Sequence, residues 1–208
     1  MKRAAIGFAC VMVAACGGSI AGGDGGGGGD GGNGTDGGAR VDGSVVDFAA
    51  CSGPGWCALV PQTCCGKCGV PALGDMYGVN IDRSNDYRKA VCGAGPVACP
   101  DCLAMEDPNL NAVCRQGACR AVDVRTDSMS ACTMDMDCVL RAGNNCCEGC
   151  GLVDPSGLIA LSAFGSGELQ KNICHPNDGA CPPCVPQYPP GYSAKCDPQT
   201  KHCRVVKG

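Results

Sequence analysis

The spacing of apolar side chains predicts few secondary-structure elements, all of them short. Residues 80–91 (NIDRSNDYRKAV) place Ile81, Tyr87 and Val91 on one face, which is the spacing of an amphipathic helix. A comparable stretch in the second half predicts another helix, interrupted near Gly165 and Gly167, and its apolar positions are Leu158, Ile159, Leu161, Phe164 and Leu169. Each stretch lies in a 23-residue interval without cysteine, where regular structure has room to form.

Each half also ends in a pattern that predicts a β-hairpin. Strand-prone residues lie on both sides of a short turn, which is the arrangement of two antiparallel strands. The predicted strand pairs are residues 112–114 with 119–122, around the turn 115–118, and residues 193–196 with 203–206, around the turn 197–200.

The N-terminus combines positive charge with a short apolar run. Lys2 and Arg3 precede the ten residues 6–15 (IGFACVMVAA), a run far shorter than the roughly 20 residues that a membrane-spanning helix needs. This pattern is typical of a secretory signal peptide, which is removed from the mature chain. We therefore expect residues 1–15 to be a signal peptide and the remaining chain to be exported.

The apolar run ends in the sequence VAACG at residues 13–17, which resembles the bacterial lipobox. The resemblance implies that Cys16 becomes the mature N-terminus and carries acyl chains such as palmitate, and several chains together anchor a protein stably. A glycine rather than an aspartate after this cysteine implies sorting to the outer membrane. The alternative is a secreted or periplasmic protein, because Ala15 and Ala21 both complete small-x-small cleavage sites.

A glycine-rich stretch follows Cys16. Residues 17–43 contain 15 glycines among 27 residues. Such a composition cannot bury enough apolar surface to offset the entropy of ordering it. We expect residues 16–50, which include the lipidated cysteine, to be a flexible tether that holds the folded part away from a membrane.

The remaining cysteines fall into two sets of ten. The first set is Cys51, Cys57, Cys64, Cys65, Cys68, Cys92, Cys99, Cys102, Cys114 and Cys119. The second set is Cys132, Cys138, Cys146, Cys147, Cys150, Cys174, Cys181, Cys184, Cys196 and Cys203. Seven of the nine steps between successive cysteines are identical in the two sets. This agreement predicts a tandem duplication, with one cysteine-rich repeat at residues 51–124 and the other at residues 130–206.

The cysteine density predicts a small disulfide-rich fold. Ten cysteines in each exported repeat indicate a disulfide framework. Since aromatic residues make up only 4% of the chain, we expect little hydrophobic core beside one short helix and one C-terminal β-hairpin in each repeat. The pairing stays open, except that the adjacent Cys64 and Cys65, like Cys146 and Cys147, should bond to different partners.

Charge and histidine content exclude several classes of function. The formal net charge is −4 and no basic stripe is present, so the sequence does not indicate nucleic-acid binding. The two histidines, His175 and His202, lie only in the second repeat. Because a duplicated catalytic unit would keep its histidine in both copies, we expect no enzymatic activity and no cofactor. The acidic residues Asp135 and Asp137 are interpreted as a solvated turn.

Four CxxC units raise the question of metal or redox chemistry. A pair of such units about 30 residues apart is able to hold zinc as thiolates. Outside the cytosol, oxidation to disulfides is the expected state, and a thioredoxin-like role requires a βαβ setting that the pattern does not predict. We therefore predict no metal site. The units are Cys65–Cys68, Cys99–Cys102, Cys147–Cys150 and Cys181–Cys184.

Two family resemblances remain. Residues 135–138 (DMDC) and 146–151 (CCEGCG) resemble the middle of a whey-acidic-protein, or four-disulfide-core, domain, a family with many protease inhibitors. The cysteine spacing on either side departs from that family, so no inhibitory residue is carried across. The whole layout, from lipobox and glycine-rich tether to the final Cys-Arg-x-Val strand at residues 119–122 and 203–206, resembles the cysteine-rich surface lipoproteins of myxobacteria. That resemblance implies surface display and no particular activity.

These observations favour a non-enzymatic cysteine-rich protein anchored in the outer membrane. We expect a protein partner to contact the long loops at residues 69–91 and 151–173, which cysteines frame but do not fill. One alternative is a two-headed disulfide-rich inhibitor of a protease or another hydrolase, with one rigid loop in each repeat. The other alternative is a zinc-binding or thiol redox protein.

Overall fold

The computed structural model describes residues 47–143 and 145–208, and the backbone of residues 40–41 and 44–45. The predicted signal peptide, Cys16 and the predicted tether up to residue 39 lie outside the described residues. The described part has two α-helices, α1 (Ser84–Cys92) and α2 (Ala163–Ile173). Its strands are β1 (Arg40–Val41), β2 (Ser44–Val45), β3 (Cys57–Pro61), β4 (Met76–Asn80), β5 (Leu110–Arg115), β6 (Ala118–Asp123), β7 (Cys138–Ala142), β8 (Gly151–Leu152), β9 (Leu158–Ser162), β10 (Pro186–Gln187), β11 (Tyr192–Cys196) and β12 (Cys203–Lys207).

The first half consists of two antiparallel strand pairs, with α1 between them in the chain. β3 pairs with β4, α1 follows β4 after a short 3-10 turn, and β5 pairs with β6. The turn from β5 to β6 holds Gln116 and Gly117 at φ 54° and 76°. Two residues in this left-handed conformation match the twist of the strands they connect. The first predicted hairpin is thus confirmed.

The second half follows the same order of elements. β7 pairs with β9, α2 follows β9 directly, and β11 pairs with β12, which confirms the second predicted hairpin. Each half also has a short parallel contact between the segments that follow its CxxC units. This contact is the bridge between Gly69 and Ala104 in the first half and the β8–β10 pair in the second.

Both predicted helices begin later in the chain than the apolar pattern indicates. Residues 158–162 form strand β9 rather than a helix, because a short continuous apolar run is equally typical of a buried strand. α2 then runs through Gly165 and Gly167 without interruption. α1 begins after Ile81, which is 40% exposed, whereas Tyr87 is buried as predicted.

The first half has an apolar cluster of Phe48, Val79 and Tyr87. The rings of Phe48 and Tyr87 meet edge to face, with their centroids 5.6 Å apart. Phe48 is only 1% exposed. The folded part therefore begins before Cys51, and the tether predicted to extend to residue 50 ends earlier.

A larger apolar cluster is shared by the two halves. Its members are Val113, Val122 and Val124 at the end of the first half, Met129 in the connection, and Ile159, Leu161 and Leu169 in the second half. The hairpin β5–β6 thus packs its apolar face against α2 and β9. The chain has more hydrophobic core than its aromatic content predicts, because aliphatic side chains from both halves combine into one cluster.

Polar contacts join the same two surfaces. The Gly55 amide donates to the Asn172 carbonyl oxygen at 3.1 Å, and the Cys114 amide donates to Asn172 Oδ1, also at 3.1 Å. The ring of Trp56 meets the ring of His175 edge to face at 4.8 Å. The first half therefore holds the C-terminal end of α2 from two sides.

Gly165 marks the closest approach within this arrangement. A Cβ atom at Gly165 would lie 1.8 Å from the carbonyl oxygen of Met129. The Gly165 amide donates to Ser162 Oγ at 2.9 Å, and Ser162 Oγ donates to the same Met129 oxygen at 3.0 Å. Only glycine allows the first turn of α2 to reach the connection between the halves.

The disulfides join cysteines at the same ordinal positions in both sets. In each set the first cysteine bonds to the ninth, the second to the tenth, the third to the sixth, the fourth to the seventh and the fifth to the eighth. The bonds of the first set are Cys51–Cys114, Cys57–Cys119, Cys64–Cys92, Cys65–Cys99 and Cys68–Cys102. Those of the second are Cys132–Cys196, Cys138–Cys203, Cys146–Cys174, Cys147–Cys181 and Cys150–Cys184. Adjacent cysteines bond to different partners, as expected, and ten disulfides in one chain are typical of an exported protein.

Candidate functional site

In each half the two CxxC units are bonded to each other, and apolar side chains surround the bonded pair. Each unit ends in a cysteine that is followed by an exposed apolar residue, either directly or after one glycine. The sequence signal for these residues becomes clear only when the two cysteine sets are aligned. Val70 then corresponds to Leu152, and Leu103 corresponds to Val185.

The first apolar patch consists of Val70, Leu103 and Met105, which are 51%, 80% and 52% exposed. The Gly69 amide donates to the Leu103 carbonyl oxygen, and the Met105 amide donates to the Gly69 carbonyl oxygen, both at 3.0 Å. These two hydrogen bonds hold the three residues next to one another in the chain segments that follow the bonded CxxC units.

The second apolar patch consists of Leu152 and Val185, which are 77% and 82% exposed. Leu152 lies opposite Gln187 in the β8–β10 register, and Val185 lies two residues before Gln187. Gln187 takes the place that Met105 has in the first half. In both halves, exposed aliphatic side chains therefore lie at corresponding positions beside the bonded CxxC units.

The sulfur clusters offer no ligand for zinc in this arrangement. Three groups of cysteines each hold their sulfur atoms within 4.8 Å of one another, and their members are Cys51, Cys57 and Cys114; Cys132, Cys138 and Cys203; and Cys146, Cys147 and Cys181. Every one of these sulfurs is part of a disulfide. Zinc binds the thiolate form of cysteine, so these clusters are neighbouring disulfides in a stapled core.

Ser130 and His202 form the one serine–histidine contact among the described residues. Ser130 Oγ lies 2.8 Å from His202 Nδ1 and also donates to the Asp127 carbonyl oxygen at 3.0 Å. Ser130 is fully buried, with no exposed surface. A nucleophile must reach its substrate, and the buried Ser130 does not reach the surface. The pair instead joins the connection between the halves to the turn of the second hairpin. The first half has Ala49 and Ala118 at the corresponding positions.

The acidic turn before Cys138 serves the fold. The Asp137 carboxylate accepts hydrogen bonds from Thr133 Oγ and the Thr133 amide, both at 2.7 Å, and from the Met134 amide at 3.0 Å. These bonds, that from the Thr133 hydroxyl foremost, lower the pKa of Asp137. Asp135 Oδ1 accepts from the Cys196 amide at 3.0 Å. Asp137 thus fixes the conformation of the turn, and Asp135 holds the turn against strand β11.

An ion pair between Arg115 and Asp127 lies at the boundary between the halves. The guanidinium of Arg115 donates to both oxygens of Asp127, at 2.5 and 2.7 Å, and its Nη2 lies 3.5 Å from Glu168 in α2. Burial of Asp127 acts to raise its pKa, but the bonds from Arg115 and from the Met129 amide outweigh it and leave the pKa below its ordinary value. Asp127 is therefore charged at neutral pH and stabilises the connection in that form.

We expect Asp127→Asn to lower the free energy of unfolding by about 2 kcal/mol at neutral pH, since buried hydrogen bonds to a charged group are lost. Because the folded pKa of Asp127 is lowered, its contribution is present above the unfolded pKa of about 3.9. It is lost as the pH falls further through the folded pKa. Urea unfolding of both proteins between neutral and acidic pH measures this, and the difference should shrink below about pH 4.

The exposed Asp101 supplies a control for this measurement. Asp101→Asn should leave the unfolding free energy within about 0.5 kcal/mol of the original chain at every pH. A cost of Asp127→Asn that stays constant down to acidic pH would contradict the role assigned to the Asp127 charge.

The long segments predicted as contact loops are largely structured. Residues 69–91 contain β4 and α1, and residues 151–173 contain β9 and α2. Val79 and Leu161 in these segments are fully buried. The two intervals without cysteine thus contribute part of the apolar core, and only residues near their start, Val70 and Leu152, lie in the apolar patches.

Neither helix in the described part of the chain has the length and apolar character that crossing a bilayer requires. The resemblances to four-disulfide-core domains and to myxobacterial surface lipoproteins rest on sequence motifs alone. No protein-family model, curated protein or solved structure matches this chain.

Proposed function

We propose that this chain is a non-enzymatic lipoprotein, exported and anchored through Cys16 to the outer membrane. It presents two copies of one disulfide-stapled domain to a protein partner. The observation that carries the proposal is the disulfide pairing, which is the same at every ordinal position of the two cysteine sets. Such a framework forms and persists only in an oxidising compartment.

The duplication is supported by more than the cysteines. The order of strands and helix is the same in both halves. Counting from the cysteines, Phe48, Val79 and Tyr87 of the first apolar cluster correspond to Met129, Leu161 and Leu169 of the second. Buried side chains at corresponding positions are expected when two halves descend from one duplicated unit.

A binding role is supported by the two apolar patches. Leu103 and Val185, the most exposed members, are 80% and 82% exposed and follow a disulfide-bonded cysteine directly. Disulfides on the same short segments restrict their motion, and a rigid surface loses less entropy on binding than a flexible one. Each half thus presents aliphatic side chains at the same place to a protein partner with an apolar groove.

The proposal predicts the covalent state of the mature protein. In a Gram-negative host grown with radiolabelled palmitate, the full chain should incorporate label into the outer-membrane fraction. Cys16→Ser should abolish the label, whereas Cys10→Ser, inside the predicted signal peptide, should keep it. Intact mass after treatment with an alkylating agent should show all twenty cysteines of the two sets protected until a reductant is added.

Two results would overturn the proposal. Label that persists in the Cys16→Ser protein would exclude this cysteine as the anchor. Alkylation of the CxxC cysteines in the unreduced protein, together with bound zinc, would replace the disulfide framework by the metal-binding alternative.

A further inference from the structure

The first half contains a cavity between strand β3 and helix α1. Its volume is about 350 Å³, which lies within the range of small-molecule sites. The floor is apolar and is formed by Ala58, Val60, Tyr87 and Val91. Tyr87 Oη is already engaged, because it donates to the Pro61 carbonyl oxygen at 3.3 Å. The floor therefore favours an aliphatic group.

A second and wider cavity of about 590 Å³ adjoins the first. The two share Cys64, Asn85, Arg88 and Cys92 in their walls, and the wider one continues past Lys89 to Val97. Together they form one groove, which is narrow and apolar at the β3 end and open at the other.

The second half fills the corresponding space with its own side chain. Counting from the cysteines, Val60 corresponds to Arg141, which is only 3% exposed. Arg141 Nη2 donates to the carbonyl oxygens of Asn145 and Cys146 at 2.6 and 3.3 Å. Cys146 corresponds to Cys64, which lines the cavity of the first half. Because Val60 is smaller than arginine, the first half keeps open the space that the Arg141 side chain fills in the second half.

Arg88 supplies the positive charge at the mouth of this groove and borders both cavities. Lys89 borders the wider cavity and lies 3.9 Å from the Asp86 carboxylate in an ion pair. None of the described residues that line the two cavities carries a carboxylate, although the chain as a whole has a net charge of −4. The second half has the neutral Gln170 at the position of Arg88. A guanidinium at the mouth suits a carboxylate, which it binds through two parallel hydrogen bonds.

We infer that the groove of the first half binds a small amphipathic anion, with an aliphatic tail on the β3–α1 floor and a carboxylate at Arg88. The site goes beyond the proposed surface role, since it takes a small molecule. The second half differs at two of the positions that form it, with Arg141 in place of Val60 and Gln170 in place of Arg88.

Calorimetric titration with decanoate tests the inference on the full chain carrying Cys16→Ser, which has no acyl chain of its own at that residue to compete. We expect saturable binding, with a dissociation constant raised about fivefold or more by Arg88→Gln. Val60→Arg should abolish it by filling the floor as Arg141 does. Decyltrimethylammonium, which has the same tail and the opposite charge, should not bind. Lys171→Gln, on the helix of the second half, should leave the dissociation constant unchanged.

Arg88 is exposed, so Arg88→Gln tests the inference even where Val60→Arg fails to fold. No saturable heat with decanoate at millimolar concentration would overturn the inference, and so would equal affinity for both head groups. Palmitate labelling is measured separately on the chain with Cys16 intact, so label on that chain would leave the proposed anchoring standing in any of these cases.

Discussion

Gly165→Ala should destabilise the protein by about 3 kcal/mol or more, the upper range for overpacking a filled site. The new Cβ would lie 1.8 Å from the carbonyl oxygen of Met129, and that oxygen is held by Ser162 Oγ. Met129 is fully buried in the shared apolar cluster, so it has no room to retreat. Urea unfolding with the disulfides intact, followed by Trp56 fluorescence, measures the change.

The same substitution two residues further along α2 is the matched control. Gly167 is exposed, and a Cβ there meets nothing within 4 Å. Alanine is favoured over glycine inside a helix by about 1 kcal/mol, so Gly167→Ala should raise the unfolding free energy. If Gly165→Ala lowers the unfolding free energy and Gly167→Ala raises it, the tight contact is located at Met129. Stabilisation by both would show that the halves do not touch there.

Removal of the Cys138–Cys203 disulfide should cost more than removal of a disulfide that closes a shorter loop in the second half. The two cysteines are 65 residues apart in sequence, and closing a loop of this length in the unfolded chain is worth about 4 kcal/mol. Cys203 is also only 3% exposed and packs in an apolar cluster with Cys132 and Ala160. The double variant Cys138→Ala/Cys203→Ala therefore loses packing as well as a cross-link.

The Cys150–Cys184 bond provides the comparison within the same half. Its cysteines are 34 residues apart, and Cys150 is exposed. The shorter loop alone makes chain closure worth about 0.6 kcal/mol less. Cys150→Ala/Cys184→Ala should cost less than the first variant by more than this amount, because less buried packing is lost. Urea midpoints and secretion yields of the two double variants measure the difference. A difference of only about 0.6 kcal/mol would mean that the buried sulfurs add nothing beyond chain closure.

The cysteine spacing predicted a disulfide-rich fold, and strand-prone residues around short turns predicted both terminal hairpins, but neither pattern predicted the disulfide pairing. Hairpins are local, since β5 and β6 are separated by a two-residue turn. A disulfide such as Cys57–Cys119 joins residues 62 apart, and no spacing rule says which distant cysteine a strand will meet. The pairing is decided by how β3 and β4 lie against the hairpin, which is a tertiary property.

The apolar cluster that the two halves share was not predicted from the sequence, for a related reason. The strand-prone residues 112–114 and 119–122 predict the hairpin, but they do not indicate what covers it. The covering residues, Ile159 and Leu169, lie in the other half. The apolar patches were missed because exposed aliphatic residues have no local signature. Their correspondence, such as Val70 with Leu152, becomes visible only after the halves are aligned.

The face that β5–β6 buries against α2 is polar in the last hairpin. Val113 of β5 is fully buried against the second half, and the residue at its position in the last hairpin is Lys195, which is exposed. Burying a charged ammonium group against an apolar surface would cost free energy. The last hairpin therefore presents to solvent the face that the first hairpin uses as core.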